Sequence, residues 1–430
     1  MSAVINRQPP PAMNRQTWVL MHRYAGLAIA GFLLIAGLTG SLLAFLDELD
    51  IALVPELRLA PERPGAAPLD PLVLRERVER SLPAARIDYH ALHRPAGESA
   101  RLYVNRMEGP PGQQTPVLYE VFADPYTGEV LGERRWGAWV LDRAHLMPLI
   151  YNLHYALSLP YPWGMWLFGA ISLVWLLDGF VGFYLTLPRG RQRFFSRWQP
   201  SWRVKWAGSA YRLNFDLHRA ASLWVWALLL LFALSSICLN LGHEVYMPVL
   251  KRIVPTVDVH ERLPNLATPL ETPALDWHQA RERGRALMAE HARRDGFELV
   301  HEDSLMLERD HGAWRYAVRS SHDFASDHGR TAVYFSAATP EAEEIAFEHP
   351  TVAPGNTFTS WLMALHMGKV FGLPWRLLIV VLGLVVAMLS VTGVVIWLKK
   401  RRARRAAQRA GAADAGTGPG EREQTAHQLA

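Results

Sequence analysis

Four histidines stand beside long apolar segments of this 430-residue chain: His22 and His218 at the start of the first and third, His154 and His366 at the start of the second and fourth. If the segments cross a membrane in alternating directions, these positions form one imidazole pair near each face. Neutral imidazole binds haem iron from both sides, and bis-histidine ligation leaves no open position, which favours outer-sphere electron transfer over binding of oxygen or substrate at iron. One such cofactor cannot relay an electron across ~30 Å of hydrocarbon, whereas two in series shorten each step. The chemistry expected of these residues is electron transfer across a bilayer.

The elements that would position them are legible as blocks. Tyr24 to Phe45, Trp163 to Leu187, Ala221 to Leu241 and Leu373 to Leu398 are each long enough to span a hydrocarbon core, which takes about 20 helical residues. The first block exceeds the apolar run of a secretory signal and is followed by Asp47, Glu48 and Asp50 rather than a small-residue cleavage site, so it is expected to be retained. Basic residues set the orientation. Arg7, Arg15 and Arg23 precede the first span without an acid, eight basic residues against Asp216 alone fill the loop from Pro188 to Arg219, and seven run from Lys399 to Arg409. These segments are expected on the cytoplasmic side, and the two long segments of mixed charge on the other. The basic excess, with a pI near 9.3, therefore reports topology and contact with anionic lipid, not a nucleic-acid site. The single cysteine, Cys238, excludes an intramolecular disulfide and covalent haem attachment through CxxCH.

The chain also repeats itself. His22-Arg23 with Thr39 17 residues on and Glu48 at 26 matches His218-Arg219 with Ser235 at 17 and Glu244 at 26; Leu153-His154 and Gly182 match Leu365-His366 and Gly393. Each half reads as span, insert, span, and two crossings per half make the repeats parallel. His22 then faces His218, and His154 faces His366. In the first insert, Asp70 to Leu82 has helical spacing and Arg101 to Asn105 reads as a strand; Val117 to Ala123 and Glu129 to Glu133 read as a hairpin around Asp124-Pro125-Tyr126-Thr127-Gly128. The second insert offers a helix from Trp277 to His291 and strands from Trp314 to Ser320 and Thr331 to Ser336.

The Asp-Pro-Tyr-Thr-Gly-Glu-Val hairpin resembles a PepSY domain. Met21-His22-Arg23 and Leu217-His218-Arg219, Leu153-His154-Tyr155 and Leu365-His366-Met367, and Thr392-Gly393 before Trp397-Leu398-Lys399 resemble the PepSY-associated transmembrane family of bacterial inner-membrane proteins, over about residues 15 to 402. Characterised members include ferric-siderophore reductases carrying two b-type haems between four helices. The resemblance implies that His22 and His218 ligate an inner haem b, and His154 and His366 an outer one. It implies a polytopic α-helical membrane protein, four transmembrane helices arranged as two parallel span-insert-span repeats with two extracytoplasmic α+β PepSY-like inserts. The expected division is a cytoplasmic tail 1–17, spans 18–46, 149–187, 218–242 and 361–398, periplasmic inserts 47–148 and 243–360, a basic cytoplasmic loop 188–217, and a tail 399–430 that is basic and then disordered. The expected acceptor is a periplasmic ferric siderophore. No Gly-rich dinucleotide motif is present, so the expected donor is a separate cytoplasmic reductase or a quinol.

Other positions admit two readings. Arg23 and Arg219 follow proposed ligands and suit haem propionates, although topological charge explains them equally well. Asp178, the only acid inside an apolar span, suits proton or quinol chemistry, but the simpler expectation is a solvated or Arg-paired carboxylate. Gly26, Gly31, Gly37, Gly40, Gly179 and Gly182 suit close approach of helices or porphyrin. His145, nine residues before His154, faces the opposite side of a helix. His243 suits a substrate surface; His301, His311, His322 and His328 lack zinc spacing and read as surface residues. Tyr151, Tyr155, Tyr161, Trp163, Trp166, Trp361 and Trp375 fit an interfacial belt. The competing class is a non-redox protein whose inserts bind a protein partner or restrain a peptidase, for which four matched histidines are not required.

Overall fold

The computed structural model describes residues 14–416 except 83–85, 111–112 and 327. The tail expected to be disordered lies largely outside them, but its beginning is helical as far as Gly416. The chain divides into two units: residues 1–38, 170–234 and 381–430 form the first, and residues 39–169 and 235–380 the second.

Helix α1 (Arg15–Leu43) is followed by the short α2 (Leu46–Leu53) and α3 (Pro55–Arg58), then α4 (Pro71–Ser81), α5 (Leu146–Ala156) and α6 (Trp163–Thr186). After α7 (Phe194–Trp198) come α8 (Ala210–Trp224), α9 (Trp226–Asn240), α10 (Met247–Ile253), α11 (Trp277–Asp295), α12 (Pro354–His366) and α13 (Gly372–Gly416). Among the described residues three helices are long and apolar enough to cross a membrane: α1, α6 and α13. The third expected span is a bent pair, α8 and α9, with 70° between them. The two helices differ in composition. Helix α8 carries Arg212, Asp216 and Arg219 and cannot lie in hydrocarbon throughout, whereas α9 is uncharged and opens on an apolar run from Trp226 to Leu234.

The second and fourth spans also differ from expectation. His154 lies near the end of α5 and His366 is the last residue of α12, each on a short helix ahead of its apolar helix. Leu157 and Ser158 in one connection, and Gly368 and Phe371 in the other, adopt positive φ, which no helix continues through.

The strands all belong to the second unit. Strands β2 (Ala100–Glu108), β3 (Thr115–Ala123) and β4 (Val130–Arg135) form an antiparallel sheet, and β5 (Leu299–Glu308), β6 (Ala313–Ser320), β7 (Thr331–Ser336) and β8 (Glu344–Glu348) form an antiparallel meander. The β3–β4 turn is built as its sequence requires: Asp124 Oδ1 accepts the Tyr126 N–H at 2.8 Å, and Gly128 takes φ +75°. The inserts are not independent, however. Strand β1 (Tyr89–Ala91) of the first insert pairs with β5 of the second, Tyr89 opposite Met306. Leu72 of α4 shares a core with Trp314, Met288 and Phe335, and Arg281 of α11 reaches Asp70 at 2.6 Å. The pairing covers the β5 edge, which would otherwise present unpaired backbone.

Candidate functional site: two interhelical histidine pairs

In the first unit His22 of α1 and His218 of α8 meet with ring centroids 6.3 Å apart and planes inclined at 57°. In the second unit His154 of α5 and His366 of α12 meet at 6.3 Å and 58°. Two imidazoles on one iron, with Fe–N bonds of about 2.0 Å and each centroid about 1.15 Å behind its nitrogen, place their centroids roughly 6.3 Å apart. The observed spacing is too wide for ring stacking and equals that centroid separation.

Each imidazole is oriented through Nδ1. His22 Nδ1 lies 3.0 Å from both carboxylate oxygens of Asp178 on α6. His218 Nδ1 donates to the Leu389 carbonyl at 3.1 Å and lies 3.0 Å from Thr392 Oγ1, both on α13. A carbonyl and a carboxylate can only accept, so both rings carry hydrogen on Nδ1 and present the Nε2 lone pair. Thr39 Oγ1 on α1 lies 3.0 Å from His154 Nδ1, and Ser235 Oγ on α9 lies 2.6 Å from His366 Nδ1. Engaging the nitrogen remote from a metal fixes ring orientation and ligand basicity.

Glycines leave the room. A Cβ added at Gly182 or Gly393 would stand 3.3 Å from Cε1 of His22 or His218, and one at Gly40 would stand 2.9 Å from Cε1 of His154. Gly37 serves ordinary packing, since its Cβ would meet the Gly383 carbonyl at 2.5 Å, and Gly31 meets nothing within 4 Å.

Asp178, whose simpler expectation from sequence was a solvated or arginine-paired carboxylate, is instead the hydrogen-bond partner of His22. The missed signal was the i,i+4 relation of Asp178 and Gly182, which puts the carboxylate and the gap for the ring on one helix face. Thr39 and Ser235 were visible as repeat markers, but their role as histidine partners was not. Arg219 donates to Asp216 and the Pro200 carbonyl at 2.8 Å each, and its buried Nε has no hydrogen-bond partner. Arg23 forms no ion pair among the described residues.

The remaining histidines are not gathered into a site. His145 bonds Asp142, His301 stacks on His93 at 3.9 Å, His322 on His349 at 4.0 Å, and His260 lies beside both His243 and His311. Among the described residues no group of three or more His, Cys, Asp or Glu could hold a metal ion.

Long apolar helices carrying β-sheet inserts define a polytopic helical membrane protein. The profile of the PepSY-associated TM region matches residues 19–400, and the chain belongs to that family. Comparison with curated proteins finds no match.

Proposed function

We propose that the protein carries electrons across the bacterial inner membrane through two b-type haems, one held by His22 and His218 and the other by His154 and His366, and reduces a ferric siderophore in the periplasm. The observation that carries this reading is the identical 6.3 Å spacing of the two pairs. The Nδ1 contacts of all four rings support it, because they orient Nε2 as the ligating atom. Bound there, the haems would supply reversible one-electron chemistry without an open coordination position.

The chain's own residues do the rest. Asp178, Thr392, Thr39 and Ser235 hold the imidazoles in register, and the glycines at 40, 182 and 393 keep side chains out of the ring faces. The basic segments orient the His22/His218 pair toward a cytoplasmic reductase or membrane quinol, and the sheets stand on the acceptor side. Reduction releases iron because Fe(II) is held less tightly than Fe(III) by hard oxygen ligands. Oxidised and dithionite-reduced visible spectra of the detergent-purified chain, with a pyridine haemochrome assay, test the reading. About two b-type haems per chain are expected. His22→Ala or His218→Ala should remove one of them, and His154→Ala or His366→Ala the other; a colourless, folded protein from haem-replete cells overturns the proposal in favour of a partner-binding role.

A further inference from the structure

Several buried or half-buried arginines in the second unit meet carboxylates directly. Asp50 lies between Arg58 and Arg134, Glu302 takes Arg281 and Arg285, and Asp88 takes Arg309. Arg315 and Arg330 are held differently. They line one cavity of about 230 Å³, and among the described residues neither guanidinium has a carboxylate within 4.0 Å. Arg315 spends only Nε, on the Tyr334 hydroxyl at 3.0 Å, and Arg330 Nη1 touches Met363 Sδ at 3.5 Å. Glu348 also lines the cavity, but one of its oxygens accepts from Tyr334 instead. Two guanidiniums facing one cavity outnumber its single carboxylate and pair directly with none, and the planar fork of arginine suits a ligand carboxylate.

The cavity is continuous with the His366 helix. Thr359 and Met363 line it seven and three residues before His366 on α12. At 100° and 1.5 Å per residue they lie within roughly 60° of His366 around the helix, and about 10 and 5 Å along it. We propose that this cavity binds a carboxylate group beside the His154/His366 pair, clasped by Arg315 and Arg330. Two sources present that chemistry: a carboxylate-bearing iron chelate serving as acceptor, or a propionate of a haem at His366. The carboxylate site stands on the unpaired arginines; its part in electron delivery rests on the proposed function.

Isothermal titration of the full-length chain in detergent with redox-inert gallium(III) citrate tests it, alongside Arg315→Gln, Arg330→Gln and the charge-retaining Arg330→Lys. A soluble chelate as the source predicts citrate binding by wild type, at least tenfold weaker in both glutamine variants and partly restored in Arg330→Lys, with haem content unchanged. A propionate as the source predicts that the glutamine variants shift or lose one haem spectrum and spare the other. Glutamine variants that leave both citrate binding and haem spectra unaltered overturn the site. A colourless wild type that still binds citrate through Arg315 and Arg330 sustains the carboxylate site while refuting the haem reading.

Discussion

Asp178 places its two carboxylate oxygens 3.0 Å from Nδ1 of His22, whereas the residue four positions before the other ring-facing glycine is Leu389, which offers His218 only a main-chain carbonyl. One imidazole of the pair is thus held by a formal negative charge and the other by a dipole. A carboxylate behind a ligating imidazole makes it more electron-donating, which favours the ferric state.

Asp178→Asn is therefore expected to raise the midpoint potential of the haem assigned to His22 and His218 while leaving the other unchanged. Asp178→Ala, which leaves Nδ1 without its acceptor, should weaken binding of that haem by about 10- to 100-fold, read as lower occupancy at limiting haem. Spectroelectrochemical titration reads both effects; coincident wild-type and variant curves with full occupancy would remove the role given to this carboxylate.

The glycine contacts yield a matched pair of variants on α1. Gly40→Ala drives a methyl group to 2.9 Å from His154 Cε1, so the ring must move and the second haem should be bound weakly. Gly31→Ala meets no atom within 4 Å, and should leave both haems in place. Equal haem content in the two variants would contradict the geometry.

A buried ion network ties α2 to the first sheet. Arg134 donates to Asp50 and Glu120 at 2.7 Å each, and Arg58 donates to Asp50 at 2.6 Å, with all four side chains nearly inaccessible. Removing Asp50 leaves two guanidiniums buried with their shared counter-charge gone. Asp50→Ala is expected to cost about 3–5 kcal/mol, seen as a lower midpoint of thermal unfolding by near-UV circular dichroism; an unchanged midpoint would show that the network contributes nothing.

Acid should weaken the sheet unit in two stages. Burial, with the charge of Arg75, pushes the His90 imidazole from 6.5 down to about 4. The unfolded chain then takes up the proton first, so this stabilisation is full above about pH 6.5 and is lost progressively toward pH 4, up to about 3 kcal/mol. Burial would raise the Glu302 carboxyl, but hydrogen bonds from Arg281, Arg285 and Tyr316 outweigh it and hold it at about 2, against an ordinary 4.5. Its contribution is present above pH 4.5 and disappears toward pH 2. Unfolding midpoints between pH 7.5 and 4.5 should fall more steeply for wild type than for His90→Gln, which keeps a donor for the Pro71 carbonyl; parallel profiles would exclude His90 as the cause.

The amino-acid sequence is enough for the four histidines, the apolar blocks, the family and the hairpin at Asp124 to Gly128, because each is written in local spacing: a run of apolar residues, a repeated offset, a proline followed by a glycine. It also determined most of the strands that alternate cleanly. Strand β5 escaped because Glu302 and Asp303 interrupt its apolar pattern, and Glu302 is tolerable in the sheet through Arg281 and Arg285 of α11, which packs back on it. Tertiary structure alone decided that α8 and α9 bend apart, that the histidines 154 and 366 end short helices, and that β1 joins the second insert's sheet. It alone decided that Asp178 belongs to His22, 156 residues away in the chain. Such contacts depend on which faces of packed helices meet, and that is set by the folded chain as a whole, not by the spacing within any one segment.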